Sequence, residues 1–195
     1  MDKTTEKELL YNPIMLFEQN TCYLHAKCDE EKMIITRVSS FFQRNLDYDP
    51  KEIVNSSLAQ LMPSSVRSFH HAMFLNWVKD GRSSNEACYE IKKIYPLTKK
   101  GYLYPCFKFY KRYIMLDGEA EYIAMLKSNR QDEHLMLLNR DYEIEGITLS
   151  LHHKLRLRTG DYLYLKGINL LALMPTLAKY TRHCNQIRDD DEDFL

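Results

Sequence analysis

Two short segments near the start of the chain have the composition of β-strands. These segments are residues 21–28 and 32–38, and the acidic residues 29–31 between them form a polar turn. Because the connection is this short, the two segments must lie side by side, and the pattern predicts an antiparallel hairpin. The polar residues before it predict a short helical lead-in that ends at the Asn12-Pro13 break.

Helical patterns replace the strand pattern after residue 38. Residues 39–45 have helical character, and residues 49–54 predict a second short helix with Asp49 as its N-cap and Pro50 at its first position. A longer amphipathic helix follows over residues 64–79, and Gly81 marks its end. Its apolar positions recur at helical spacing: Val66, Phe69, Met73 and Trp77.

The strand pattern returns after this helix. Residues 86–95, 102–116 and 119–127 predict three strands, joined by turns at Lys99-Lys100-Gly101 and Asp117-Gly118. Two strands, several helices and three further strands indicate an α+β fold. We therefore predict a five-stranded antiparallel sheet with helices on one face.

An internal repeat extends the pattern beyond residue 130. A gap-free shift of 112 positions aligns Ile35-Thr36 with Ile147-Thr148 and Leu61-Met62-Pro63 with Leu173-Met174-Pro175. The second copy reaches its Leu-Met-Pro with twenty residues left, which are too few for a long helix and three strands. The repeat predicts one complete unit followed by the front part of a second.

The composition limits the classes of partner. Lys+Arg and Asp+Glu number 27 each, so the chain has no general attraction for phosphate backbones, and we expect no nucleic-acid partner. The longest apolar runs, such as 170–174, are far shorter than the ~20 residues of a membrane-spanning helix. The expected location is therefore cytoplasmic, without direct membrane insertion. The acidic run 188–193 predicts a solvated, disordered end.

The cysteines and motifs give no sign of a metal site or of catalysis. Five cysteines with no Cys-x-x-Cys pair are typical of reduced thiols in an intracellular protein. Cys22, His25 and Cys28 would suggest zinc, but a strand places His25 on the face opposite both cysteines. The sequence contains no Gly-rich phosphate loop, nucleophile elbow or metalloprotease helix, so we expect neither a metal nor an enzyme.

The order of elements and one motif carry a family resemblance. The stretch Leu61-Met62-Pro63-x-x-x-Arg67-x-x-His70, running to Gly81, resembles the PAS domain. It is similar to the corresponding helix of heme-containing oxygen-sensing PAS kinases, and more so to the PAS repeats of large multi-pass membrane proteins of ciliates. With the repeat, it implies four parts: a lead-in at 1–13, a PAS domain at 14–130, a partial PAS-like unit at 133–182 and an acidic tail at 183–195.

The resemblance also suggests two cofactors that can be weighed against the sequence. His70 matches the histidine that holds the iron in the oxygen sensors, but Glu90 stands where those sensors place the gas-binding arginine. Leu58 stands where the light-sensing branch has its reactive cysteine, so no flavin adduct can form. We expect no cofactor, with heme at His70 kept as the alternative.

The aromatic residues supply candidates for a ligand pocket and for an interface. The pocket candidates are Phe69, Met73, Trp77, Phe107 and Phe109. The interface candidates, on the outer face of the sheet, are Tyr102, Tyr104 and Tyr110. The resulting hypothesis is a non-catalytic PAS sensory or scaffolding module that acts through a protein partner or a PAS-mediated dimer, with or without a small ligand in its core. The alternatives are a heme-dependent gas sensor and a cytosolic fragment of a larger membrane signalling protein.

Overall fold

A five-stranded antiparallel sheet forms the centre of the protein, which was analysed as a computed structural model. The structure describes residues 21–29, 32–67, 69, 70, 72, 91–114, 120–129, 133–158 and 165–177. The strands of the sheet are β1 (Cys22–Asp29), β2 (Lys32–Val38), β3 (Lys92–Ile94), β4 (Cys106–Ile114) and β5 (Ala120–Ser128). Their spatial order is β2-β1-β5-β4-β3, with every neighbouring pair antiparallel. The predicted α+β class with a five-stranded antiparallel sheet is confirmed.

Short helices pack on the inner face of this sheet. They are α1 (Ser40–Leu46), α2 (Pro50–Ile53) and a 3₁₀ turn (Leu58–Leu61), followed by α3, whose described helical residues are 64–67, 69, 70 and 72. Asp49 caps α2 as predicted, because its carboxylate accepts a hydrogen bond of 2.8 Å from the backbone N–H of Lys51. The core lies between these helices and alternate residues of β1, including Leu24 and Ala26.

The strand β4 begins four residues later than the pattern predicts. The chain first turns at residues 98–102, where Gly101 has a φ of 87° and the Thr98 N–H donates to the Tyr102 carbonyl. Leu103 then pairs outside the sheet, since its N–H donates to the Ile147 carbonyl at 2.9 Å. The chain joins the sheet only at Cys106. The strand-like composition of residues 102–105 therefore does not correspond to a part of β4.

A smaller hairpin follows the sheet. It contains β6 (Met136–Leu138) and β7 (Ile144–Ile147), which are antiparallel, and is followed by α4 (Leu149–Lys154) and α5 (Leu170–Leu173). The pairing of β6 with β7 shifts between Leu137 and Leu138, and that of β1 with β2 shifts between His25 and Ala26, 112 positions earlier. Both hairpins therefore have an irregularity at the same place in the repeat.

The hydrogen bonds after the two hairpins also correspond. The Asn55 N–H donates to the Ile35 carbonyl at 2.8 Å, and the Gly167 N–H donates to the Ile144 carbonyl at 2.8 Å. Asn55 and Gly167 both have positive φ, at 66° and 81°. These bonds make Ile144 the counterpart of Ile35, whereas the gap-free alignment paired Ile35 with Ile147. The second copy thus has a shorter hairpin turn and a compensating insertion further on.

The two copies also differ in burial. Ser57 and Asn169 cap the equivalent turns with their side chains, but Leu61 is 3% exposed and its counterpart Leu173 is 52% exposed. The lead-in 1–13 and the tail 183–195 lie outside the described residues. The division into a PAS domain at 14–130 and a partial unit at 133–182 stays a prediction.

Candidate ligand cavity

A cavity of about 370 Å³ lies between the inner face of the sheet, the start of α3 and the strand β6. Of the eighteen described residues that line it, fourteen are apolar, and the other four are His70, Tyr95, Lys108 and Tyr110. Ligand sites of this size class are typically lined by apolar side chains with a few polar groups. The apolar lining residues are Leu24, Leu58, Leu61, Met62, Pro63, Val66, Ile94, Pro96, Leu103, Ala124, Leu126, Leu135, Met136 and Leu137.

The two faces of β4 are the reverse of those predicted. Lys108 and Tyr110 line the cavity together with their pairing partners on β5. Phe107 and Phe109 are therefore on the opposite face, because neighbouring residues of a strand alternate between faces. The run from Cys106 to Ile114 has no clean alternation of apolar and polar residues, and a one-residue error inverts the assignment of every side chain.

The helix α3 contributes two side chains to the cavity wall. Val66 and His70 both line it, since residues four apart lie on the same side of a helix. Phe69 does not line the cavity and is 70% exposed, so the structure separates it from the pocket that we predicted. The other two pocket candidates on this helix, Met73 and Trp77, lie outside the described residues.

The predicted interface tyrosines are not on an open outer face. Tyr110 is in the cavity wall, and burial raises its pKa to about 12, with a smaller contribution from Cys106. Tyr104 is half-buried against the main core, and burial raises its pKa to about 12. Tyr102 packs against the smaller core of Ile144 and Ile147. All three are therefore packed side chains of the fold.

A cation lies in the wall beside Tyr110. The Lys108 Nζ is 4.1 Å from the centroid of the Tyr110 ring, which is within the range of a cation–π interaction. Sequence analysis did not identify Lys108 as a site residue. The spacing of Lys108 indicates its face. It is two residues from the buried Cys106 and two residues from Tyr110, so all three side chains lie on the same face of β4.

A carboxylate from β7 holds the start of α3. Glu145 is 8% exposed, and its oxygens accept hydrogen bonds from the Ser64 hydroxyl at 2.6 Å and from the Ser65 N–H at 3.0 Å. The Ser65 hydroxyl also donates to it. Burial alone would raise the pKa of Glu145, but these hydrogen bonds together outweigh it, so its pKa lies below the ordinary value. Glu145 thereby satisfies one N-terminal backbone donor of α3, the Ser65 N–H.

A second contact joins β7 to the cavity. Leu103 lines the cavity, and its side chain packs on Gly146, where an added Cβ would lie 2.9 Å from Leu103 Cγ and Cδ2. A side chain at this position would force the Leu103 side chain to move, which favours glycine there. Adjacent residues of β7 thus contact the start of α3 and the wall residue Leu103.

The residues that line the cavity can be compared with the two cofactors, heme and flavin, that the resemblance suggests. His70 lines the cavity, and so does Leu58, at the position where the resemblance places a reactive cysteine. Among the lining residues that the structure describes, none is a cysteine. Within the described residues, no group of three or more His, Cys, Asp or Glu side chains could hold a metal ion, and no helix has the length and apolarity to cross a membrane.

Solved structures similar to this chain are PAS and LOV domains. A fungal LOV-domain photoreceptor is 14% identical, over 57% of this chain and 75% of its own, with a TM-score of 0.42. A PAS domain of an HTR-like protein from Haloarcula marismortui is 15% identical, over 65% of this chain and 99% of its own, with a TM-score of 0.39.

A blue-light-activated histidine kinase of Erythrobacter litoralis is 10% identical, over 58% of this chain and 34% of its own, with a TM-score of 0.40. This chain therefore matches about a third of the kinase's length. No protein-family model matches the sequence, and the comparison with curated proteins gives no match. The fold assignment accordingly rests on the strand order and pairing described above.

Proposed function

We propose that this chain is a non-catalytic sensory module that binds a small, largely apolar ligand in the cavity beneath α3 and signals through protein–protein contacts. The observation that carries the proposal is the cavity itself, with about 370 Å³ of space and fourteen apolar residues among the eighteen described residues that line it. An apolar cavity favours a ligand that removes apolar surface from water.

The contacts of β7 supply a route from the cavity to the rest of the protein. Glu145 holds the start of α3, which contributes Val66 and His70 to the wall, and Gly146 packs on Leu103, another wall residue. A ligand that favours one position of α3 over another would shift the population of the β7 contacts. The signal would then pass to a protein partner or to a second copy of the chain.

Native mass spectrometry of the full chain purified from its source tests this function. We expect a bound small molecule, released on denaturation. The variant Ala124→Phe fills the cavity from β5 and should abolish its retention, whereas Ile123→Phe, on the opposite face of the same strand, should retain it. Folded wild-type protein without a bound molecule, together with equal binding of apolar probes by both variants, would overturn the proposal.

A heme-dependent gas sensor is the second candidate, because His70 is in the cavity wall. A neutral imidazole is a suitable axial ligand for heme iron, and His70 is the lining residue that would hold it. Heme reconstitution should then give a Soret band that shifts in His70→Ala and not in His134→Ala, a change at an exposed position. A spectrum that does not depend on His70 removes this candidate.

A further inference from the structure

The backbone of Met136 in β6 points away from the partner strand β7. Met136 is opposite Ile147, and the Ile147 carbonyl accepts a hydrogen bond from Leu103, which is on the other side of β7. In an antiparallel pair the two backbones either both face each other or both face away. The N–H and C=O of Met136 therefore point to the outer edge of the hairpin. Among the described residues, β6 pairs only with β7, and no described group is hydrogen-bonded to this N–H or C=O.

The cavity reaches the same edge of β6. Leu135, Met136 and Leu137 all line it, although the Met136 side chain is on the opposite face of the strand from its two neighbours. A cavity contacts both faces of a strand only where it extends around an edge, and the other edge of β6 is paired with β7. Backbone groups away from bulk water need hydrogen-bond partners, so this edge favours a ligand with both a donor and an acceptor.

Equivalent hydrogen bonds set the backbone direction in both hairpins. The Ser39 N–H donates to the Tyr23 carbonyl at 3.0 Å, and the Thr148 N–H donates to the Leu135 carbonyl at 3.0 Å. Tyr23 and Leu135 are 112 positions apart, and each faces the partner strand of its own hairpin. The next residue of each strand faces outwards, because backbone directions alternate along a strand.

The first copy of the repeat shows what kind of group such an edge binds. Its outward-facing residue is Leu24, the counterpart of Met136, and Leu24 is opposite Ala124 of β5 in an antiparallel pair. The edge of β1 is therefore covered by a strand whose backbone supplies both a donor and an acceptor. The edge of β6 has the same geometry and borders the cavity.

Resting on the proposed function, we infer that the ligand of this cavity is a short extended peptide segment of a partner protein, which pairs antiparallel with Met136 and buries its apolar side chains among the lining residues. A peptide that adds a strand to a sheet edge obtains affinity from backbone hydrogen bonds and specificity from alternate side chains. A second copy of this chain is the less suitable occupant, since its strands β1, β4 and β5 each pair on both edges within their own sheet.

Titration calorimetry of the full chain with a capped peptide of residues 120–126 tests the inference, because Ala124 in this segment occupies the equivalent edge of the first copy. We expect the peptide to bind. N-methylation at the Ala124 position should weaken binding about tenfold, since it removes the N–H that faces the strand. The matched control is N-methylation at the Met125 position, where the N–H faces the other way, and it should bind as the unmodified peptide does. This comparison needs no variant of the protein.

Variants then assign the hydrogen bond to the edge of β6. Met136→Pro removes the backbone N–H, and proline is tolerated where that group points out of a sheet edge. We expect it to weaken binding of the unmodified peptide about tenfold. Met136→Leu keeps the N–H and should bind as the wild type does. Ala124→Phe, which fills the cavity, should abolish binding.

The outcomes separate this inference from the proposed function. If the two N-methylated peptides bind alike, or if Met136→Pro binds the peptide as Met136→Leu does, the pairing with Met136 is wrong. If the peptide does not bind, but 1-decanol binds the wild type and not Ala124→Phe, the peptide class is wrong and the apolar cavity stands. If neither compound binds the wild type, both proposals fall.

Light scattering tests the choice of occupant. We expect the same molar mass for the wild type and Met136→Pro in the absence of peptide. A wild-type dimer that Met136→Pro dissociates would identify a second copy of the chain at this edge, and would overturn the assignment to a partner protein.

Discussion

The Ser64 hydroxyl donates a 2.6 Å hydrogen bond to the carboxylate of Glu145, although the two residues are 81 positions apart in the chain. Ser64 is at the start of α3, directly after the Leu-Met-Pro motif, and Glu145 is in β7 of the small hairpin. The helix that forms part of the cavity wall is therefore fixed at its N-terminus by a residue from outside the main sheet. This contact is where we expect occupancy of the cavity to affect the second hairpin.

The first prediction concerns the strength of this contact. Glu145→Ala removes the buried acceptor of the Ser64 and Ser65 donors, and we expect it to lower the free energy of unfolding by about 2 kcal/mol. The control is Glu52→Ala, because Glu52 pairs with Lys99 at an exposed site, where ion pairs contribute about 0–1 kcal/mol. Urea denaturation followed by circular dichroism measures both, and equal losses would show that Glu145 is not an anchor.

The second prediction is the pH dependence that follows from the lowered pKa of Glu145. A carboxyl group with a lower pKa in the folded protein stabilises the fold above its unfolded pKa of about 4.3, and loses that effect as the pH falls through its folded pKa. Glu121 acts in the same direction: burial raises its pKa, but the hydrogen bond from Thr36 and the imidazole of His25, 3.5 Å away, together outweigh burial and lower it.

We therefore expect the urea midpoint to be nearly constant from pH 7 to pH 5 and to fall below about pH 4.3. Glu145→Gln should reduce this fall without abolishing it, because Glu121 remains. An identical pH profile for the wild type and Glu145→Gln would contradict the assignment.

Local patterns and tertiary contacts differ in how far they can be predicted from sequence. The Asp49-Pro50 helix start and the hairpin of β1 and β2 depend on neighbouring residues, and both were predicted correctly. The inner face of β4 depends on whether its odd-numbered or its even-numbered residues pack against the helices. The composition of the strand does not indicate which of the two sets does so. The bond between Ser64 and Glu145 depends on how the second hairpin packs against the start of α3, and no local pattern encodes it.

The repeat shows the same limit. The gap-free shift of 112 finds the equivalence of the caps Ser57 and Asn169, because insertions and deletions between the copies cancel there. It pairs Ile35 with the wrong residue, because within the hairpin they do not cancel. The hydrogen-bond pattern, which identifies Ile144 as the counterpart, is available only from the structure.

The third prediction concerns the reactivity of the cysteines. Burial raises the pKa of Cys22 to about 11 and raises that of the fully buried Cys106 further, so neither forms much thiolate near neutral pH. Cys28 is half-buried, and its pKa is raised by burial and by Asp29.

We expect iodoacetamide at pH 8 to modify Cys28 in the native protein, and to modify Cys22 and Cys106 only after denaturation. Peptide mapping by mass spectrometry gives the extent at each position. Native labelling of Cys106 at the rate found for Cys28 would place it outside the core and contradict the packing described here.

The last prediction concerns the close approach of Gly146 and Leu103. Gly146→Ala places a methyl group 2.9 Å from two atoms of the buried Leu103 side chain, and we expect a loss of about 1–3 kcal/mol in the free energy of unfolding. Shortening the neighbour should relieve the overlap, so the loss should be smaller in a Leu103→Ala background.

Gly167→Ala is the control, since nothing lies within 4 Å of the added methyl group and the cost of about 1–2 kcal/mol comes from the φ of +81° at this position. That cost should be the same in both backgrounds. A double-mutant cycle, measured by urea denaturation, gives the coupling between the two positions. Strict additivity of Gly146→Ala with Leu103→Ala would mean that Gly146 of β7 is not in close contact with this residue of the cavity wall.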